Sequence, residues 1–227
     1  MDESRRSRQD FPAPPPQGPL APGLDGALHG SLLQAARDPH DVATLAFAGV
    51  MAMAGTRKPP YDALVAGLSR ADIADLVAVH FPSDRSASWA TRATEDATVA
   101  SVREDEFDDL VVLLDEHATV PCRESRWLAR ALATGCMGDN HLWQDMGLPD
   151  RRTLSRLIQQ RFTALFVRNV GNMRWKKFFY RQLCERAAVP ICKSPSCAIC
   201  VDVDECFPRD ASHPRERLTF GGAHGEH

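Results

Sequence analysis

Apolar residues recur at helical spacing along most of this chain. Leu24, Leu28, Leu32 and Leu33 form a first series, Val42, Leu45, Ala46, Val50 and Met53 a second, and Ile73, Leu76, Val77 and Val79 a third. Spacings of three and four residues place such side chains on one face of a helix. The series are interrupted at Asp38-Pro39, Lys58-Pro59-Pro60 and Phe81-Pro82. Proline there removes a backbone donor and pushes its predecessor out of the helical region. The stretch 42–54 is apolar and Ala-rich but well short of the roughly 20 residues that span a bilayer, so it reads as a buried helix.

Farther along, residues 103–117 carry Phe107, Leu110, Val111 and Leu114 on one face and acidic groups on the other. A helix is expected over 124–134, ended by Gly135, and another from about Asp150 that carries Leu154, Leu157, Ile158, Phe162 and Leu165. The last, over 173–187, directs Trp175, Phe178, Phe179 and Leu183 inward. No run alternates polar and apolar residues between turn signals, so no sheet is expected. The fold class is mainly α: a single helical domain over residues 23–191, followed by a cysteine-rich metal loop at 192–206 and a flexible tail at 207–227. Residues 1–22 hold six of the sixteen prolines and few large apolar groups, a composition that cannot offset the entropy of ordering and reads as a disordered tail.

A chain of 227 residues with 44% hydrophobic content can bury one sizeable core. Its formal charge of -3 gives no global attraction to nucleic acid or to an anionic membrane. No apolar segment follows the charged N-terminus, so a secretory signal is not expected and the cytoplasm is the expected compartment. The charge is uneven, however. Residues 92–117 hold nine acidic and two basic side chains, and residues 151–191 ten basic and one acidic. That basic segment leads directly into four cysteines.

The cysteines are Cys192, Cys197, Cys200 and Cys206, spaced x4, x2 and x5. Crowded thiols in a reducing compartment point to metal, and thiolates suit zinc or iron-sulfur clusters over hard cations. A structural zinc site ordinarily pairs two short knuckles across a dozen or more residues, whereas here only Cys197-x2-Cys200 is a knuckle. Spacing therefore favours a cluster while leaving zinc open. A cluster held by four thiolates is anionic, and Arg174, Lys177 and Arg181 share a helical stripe just before it, which is otherwise an ordinary solvated basic face.

Other candidates have plainer readings. Cys184 is an accessory ligand or a buried small hydrophobe, and Cys122 and Cys136 read as core or inert thiols. His141, in a turn where Asp139 or Asn140 is placed to cap the next helix, is an accessory ligand or a structural histidine. His117 ends the acidic helix and suits its C-terminal dipole. The tail histidines His213, His224 and His227 read as part of a disordered segment. The acidic groups at the helix start suit its dipole, and no Glu-x-x-His pair marks a di-iron bundle, because Leu114 stands three before His117. Nucleophile elbow, phosphate loop and dinucleotide fingerprint are all missing from the sequence, which disfavours conventional enzyme chemistry. Two other classes stay open: a nucleic-acid-binding regulator with a zinc or redox-sensing cysteine module, and an iron-sulfur electron-transfer protein.

Three blocks narrow the choice. They are Met137-Gly-Asp-Asn-His-Leu-Trp-Gln-Asp-Met-Gly-Leu148, then Asn172-Met-Arg-Trp-Lys-Lys-Phe-Phe-Tyr-Arg-Gln-Leu-Cys184, then the C-x4-C-x2-C-x5-C run. In this order they closely resemble the nitrogen fixation protein NifQ family, with similarity over roughly residues 24–207. The resemblance implies a carrier of a molybdenum-iron-sulfur cluster that supplies molybdenum for the iron-molybdenum cofactor of nitrogenase, held by Cys192, Cys197, Cys200 and Cys206. It further implies the nitrogenase iron protein and the cofactor scaffold complex as partners, with neither nucleic acid nor membrane. Such a donor delivers a metal and needs no catalytic residues.

Overall fold

The computed structural model describes residues 22–54, 60–84, 89 and 104–187. Among these the regular structure is entirely helical: α1 (Gly26–Ala35), α2 (Val42–Met53), α3 (Arg70–His80), α4 (Glu104–Glu116), α5 (Arg123–Cys136), α6 (Leu142–Asp145), α7 (Arg151–Arg161), α8 (Thr163–Arg168) and α9 (Trp175–Arg186). The mainly α class expected from the spacing is therefore observed. No helix among the described residues is long and apolar enough to cross a membrane. The cysteine loop at 192–206 and both expected tails, apart from Pro22, lie outside the described residues. The chain divides into two compact units, Met1–Arg168 and Asn169–His227.

Polar side chains start the helices of the first unit. Asp25 Oδ1 accepts from the Leu28 amide at 3.0 Å, Asp41 Oδ2 from Thr44 at 2.9 Å, Ser69 Oγ from Asp72 at 3.1 Å and Asp150 Oδ1 from Thr153 at 2.7 Å. Each satisfies a donor that has no partner within its own helix. The breaks at Asp38-Pro39 and Phe81-Pro82 fall between or just after helices, as proline requires.

Two helices organise the core. In α2 every residue but Leu45 is buried, as expected of a central helix that is apolar all round. It packs on α1, α5 and α7, while α5 packs on α2, α3, α4 and α6. On α4 the expected face is the buried one, with Leu113 added to Phe107, Leu110, Val111 and Leu114.

Four details differ from the expectation. The helix at 124–134 continues through Gly135 to Cys136, because this glycine is needed for clearance and does not end the helix. A Cβ there would lie 2.8 Å from Met146 Cγ and 3.0 Å from Leu142 Cδ1. The single helix expected from Asp150 is two, broken at Phe162 (φ -140). Thr119 enters the gap: its amide donates to the Arg161 carbonyl and its hydroxyl accepts from the Thr163 amide, each at 2.9 Å. Val79 is 43% exposed, since the buried stripe of α3 runs Ile73, Leu76, Val77 and then His80. Leu24, Leu33 and Leu45 are half-buried.

In the second unit, the Asn169 side chain closes the turn before α9, accepting from the Met173 amide at 2.8 Å and donating to its carbonyl at 2.9 Å. Trp175, Phe178 and Phe179 are buried as expected, with ring centroids 5.7 to 5.9 Å apart. Leu183, expected inside, is half-buried.

Gly49 on α2 lies close against Gly147, which follows α6. A Cβ on Gly49 would lie 2.1 Å from the Met146 carbonyl oxygen, and Gly147 has φ +60. Gly49→Ala should cost about 2 kcal/mol or more in urea unfolding, because backbone must move to admit the methyl group. Gly30→Ala on α1, where nothing lies within 4 Å, should instead add about 0.5–1 kcal/mol.

Candidate functional site

Residues 137–148, the first of the three blocks, form the link from α5 through α6. Its centre is Asp145, which is fully buried. Oδ2 accepts from the Asn140 amide at 2.9 Å and Oδ1 from Asn140 Nδ2 at 3.0 Å. Buried Tyr61 donates its phenolic proton to the Asp145 carbonyl oxygen at 3.0 Å. Burial above all, and then the Asp145 charge, hold the Tyr61 pKa well above the ordinary phenol range, so the ring stays a neutral donor. A Cβ on Gly138 would lie 2.6 Å from both Asp145 Oδ2 and the Tyr61 hydroxyl.

This arrangement changes the expected cap. Asp139 and Asn140 do not start α6; His141 occupies the N-cap position, and its amide donates to Gln144 Oε1 at 3.2 Å. Asn140 stands one position before the N-cap, with its amide and its side-chain nitrogen both directed at Asp145. His141 itself is exposed. Tyr61 and Asp145 carry the loop's interior, and neither stands out in the sequence, since the contact joins residues 84 positions apart.

On α9, Arg174, Lys177, Arg181 and Cys184 fall on one stripe at spacings of three, four and three. Arg174 and Lys177 are half-buried and Arg181 is exposed. Glu185 engages Arg181 Nε at 2.8 Å, so part of the expected positive charge is offset. Cys184 is half-buried, which corrects its reading as a buried hydrophobe: it lies on the stripe opposite the aromatic face. Cys192, Cys197, Cys200 and Cys206 lie outside the described residues, and Arg186 ends α9 six positions before Cys192.

Of the remaining thiols, Cys136 is buried and Cys122 exposed. Cys122 is therefore no core residue. It caps α5, accepting at Sγ from the Ser125 amide at 3.5 Å while Ser125 Oγ accepts from its own amide at 2.9 Å. His117 ends α4 as its position suggests: Nδ1 donates to the Leu113 carbonyl at 2.8 Å, leaving Nε2 to accept from Arg168 at 3.0 Å. No three His, Cys, Asp or Glu side chains converge as a metal site among the described residues.

Asp145→Asn should cost about 2–3 kcal/mol, because a buried carboxylate with two donors loses one acceptor and presents an amide to Asn140. Tyr61→Phe should cost about 1 kcal/mol. Urea denaturation followed by far-UV circular dichroism measures both.

Comparison with known proteins follows the same segments. The family model described as NifQ matches residues 46–208, a span that contains the α5–α6 link, α9 and all four clustered cysteines. It begins later than the roughly 24–207 of the expected similarity. "Protein NifQ" of Azotobacter vinelandii is 41% identical over 148 residues, covering 62% of this chain and 76% of that protein. "Protein NifQ" of Rhodobacter capsulatus is 50% identical over 93 residues, 41% of this chain and 52% of that one. The "Protein NifQ homolog" of Sinorhizobium fredii is 35% identical over 141 residues, 62% of this chain and 60% of its own length. No solved structure matches this chain.

Proposed function

The chain belongs to the NifQ family, whose role lies in nitrogen fixation and molybdenum handling, and from that premise we propose that it is a molybdenum donor. Its cargo is a molybdenum-iron-sulfur cluster held by Cys192, Cys197, Cys200 and Cys206. The observation that carries this reading is the family match across residues 46–208, which includes the whole cysteine run.

Soft thiolates suit both iron and molybdenum in a sulfide cluster. Four of them close in sequence can anchor the irons and leave the molybdenum corner labile enough for transfer. Arg174 and Lys177, half-buried on α9, supply positive charge to the same unit and so favour an anionic cargo. Cys184, on their stripe, is an accessory thiol in this reading, and exposed His141 a candidate for an accessory role. The product is a delivered metal, so no catalytic turnover is required. The acceptors are the nitrogenase iron protein and the cofactor scaffold complex.

Anaerobic purification followed by elemental analysis and visible absorption tests the reading. Iron, sulfide and molybdenum together, with a brown chromophore, are expected; zinc alone at about one per chain would sink it. Cys200→Ala should abolish the chromophore while leaving the far-UV helical signal intact. A cluster that survives redox cycling and never passes molybdenum to an acceptor would favour electron transfer instead.

A further inference from the structure

The buried stripe of α3 assigns position 80 to a histidine. His80 is 6% exposed and packs against Phe47 with ring centroids 4.8 Å apart. Its Nδ1 lies 3.0 Å from Thr44 Oγ1, and Thr44 Oγ1 donates to Asp41 Oδ2 at 3.2 Å. A hydroxyl has one proton to give. With that proton directed at Asp41, His80 Nδ1 is the donor to Thr44, and Nε2 carries a bare lone pair. Nε2 is buried and has no hydrogen-bond partner among the described residues.

The chain of contacts continues beyond Asp41. Arg161 Nη2 lies 3.5 Å from Asp41 Oδ1 and 3.0 Å from Glu124 Oε1. Asp41 and Glu124 stand at the starts of α2 and α5 and Arg161 at the end of α7, so each of these charges lies where the helix dipole favours it. The charged groups facing His80 are thus Arg37 and Asp41 from the α1–α2 link, Glu124 from α5 and Arg161 from α7. Two cations and two carboxylates leave no net charge to hold an imidazolium. Burial, the largest influence, keeps the ring below the ordinary histidine range, with the carboxylates opposing it.

His80 is also a mechanical junction. Its carbonyl accepts from the Arg37 amide at 2.9 Å, and nearby the Ser83 amide donates to the Ala35 carbonyl at 3.2 Å. We propose that His80 is an acid-sensitive latch: neutral, it fastens the end of α3 to the 36–44 segment, and on gaining a proton at Nε2 it releases that junction while the α2–α5 core stays folded. Protonation would place an unpaired N–H and a positive charge in a buried position against Phe47, where Arg37 and Arg161 offset Asp41 and Glu124, a cost that opening to water removes.

The direction follows from linkage. An open, solvated ring takes its proton near pH 6.5 and the closed ring only at lower pH. The latch is at full strength above about pH 6.5 and weakens as pH falls from there toward the closed-state value. Between about pH 7.5 and 5.5 the open form should gain up to about tenfold.

Hydrogen exchange of the full chain, corrected for the intrinsic pH dependence of exchange, tests this. Amides of residues 36–44 and 76–84 should open up to about tenfold more often at the lower pH, and those of α5 should not. His80→Asn, which keeps a donor near the Nδ1 position but cannot titrate, should abolish the difference. Opening that is independent of pH in the native chain, or equally pH-dependent in His80→Asn, overturns the proposal. Should the variant not fold, the ring resonances of the native chain decide: a His80 midpoint at or above about 6.5 equally overturns it.

Discussion

Where Gly49 meets the carbonyl of Met146, helix α2 lies against backbone with no side chain between. This contact constrains much of the first unit. It holds the buried central helix against the segment that follows α6, and Gly135 on α5 gives the same segment room from the other side. Close packing of this kind tolerates little added volume, because interiors are as dense as organic crystals. The turn through residues 137–148 is thus held on one flank by α2 and on the other by α5.

Inside that turn the dominant force changes from packing to polar satisfaction. Asp145 is carried into the core, and an ionisable group there is tolerable only when its lone pairs are met. Asn140 meets them locally through its amide and its side-chain nitrogen, and Tyr61, from a distant part of the chain, donates to the Asp145 backbone carbonyl. His80 is the contrasting case, since one ring nitrogen is satisfied and the other is not. Both groups are buried, and of the two only the histidine keeps a buried side-chain nitrogen without a hydrogen-bond partner among the described residues. The two therefore differ in consequence: Asp145 rigidifies its loop, and His80 makes its junction conditional.

The second unit follows a simpler plan. The aromatic residues Trp175, Phe178 and Phe179 bury one face of α9, which leaves the Arg174, Lys177, Arg181 and Cys184 stripe to the other. Helical periodicity alone separates the two sets. The same helix that buries the aromatics presents charge and a thiol a few residues before the cysteine run, and this is the physical basis for including α9 in the proposed function.

The helices and most of their buried faces were legible in the sequence, because the 3.6-residue period acts within a few positions of itself; the caps Asp25, Asp41 and Ser69 came from the structure. The soft-metal character of the cysteine run was legible for a similar reason, since thiol chemistry and spacing are local. Tertiary structure decided what depends on distant partners. Gly135 reads as a stop until Met146 and Leu142 show it to be a clearance, and the break at Phe162 exists because Thr119 supplies its polar groups there. Val79, expected on the buried face, is exposed because the helix turns His80 inward instead, where Thr44 gives it a partner. A sequence states which groups are apolar or titratable; only the packed chain determines which of them are deprived of water.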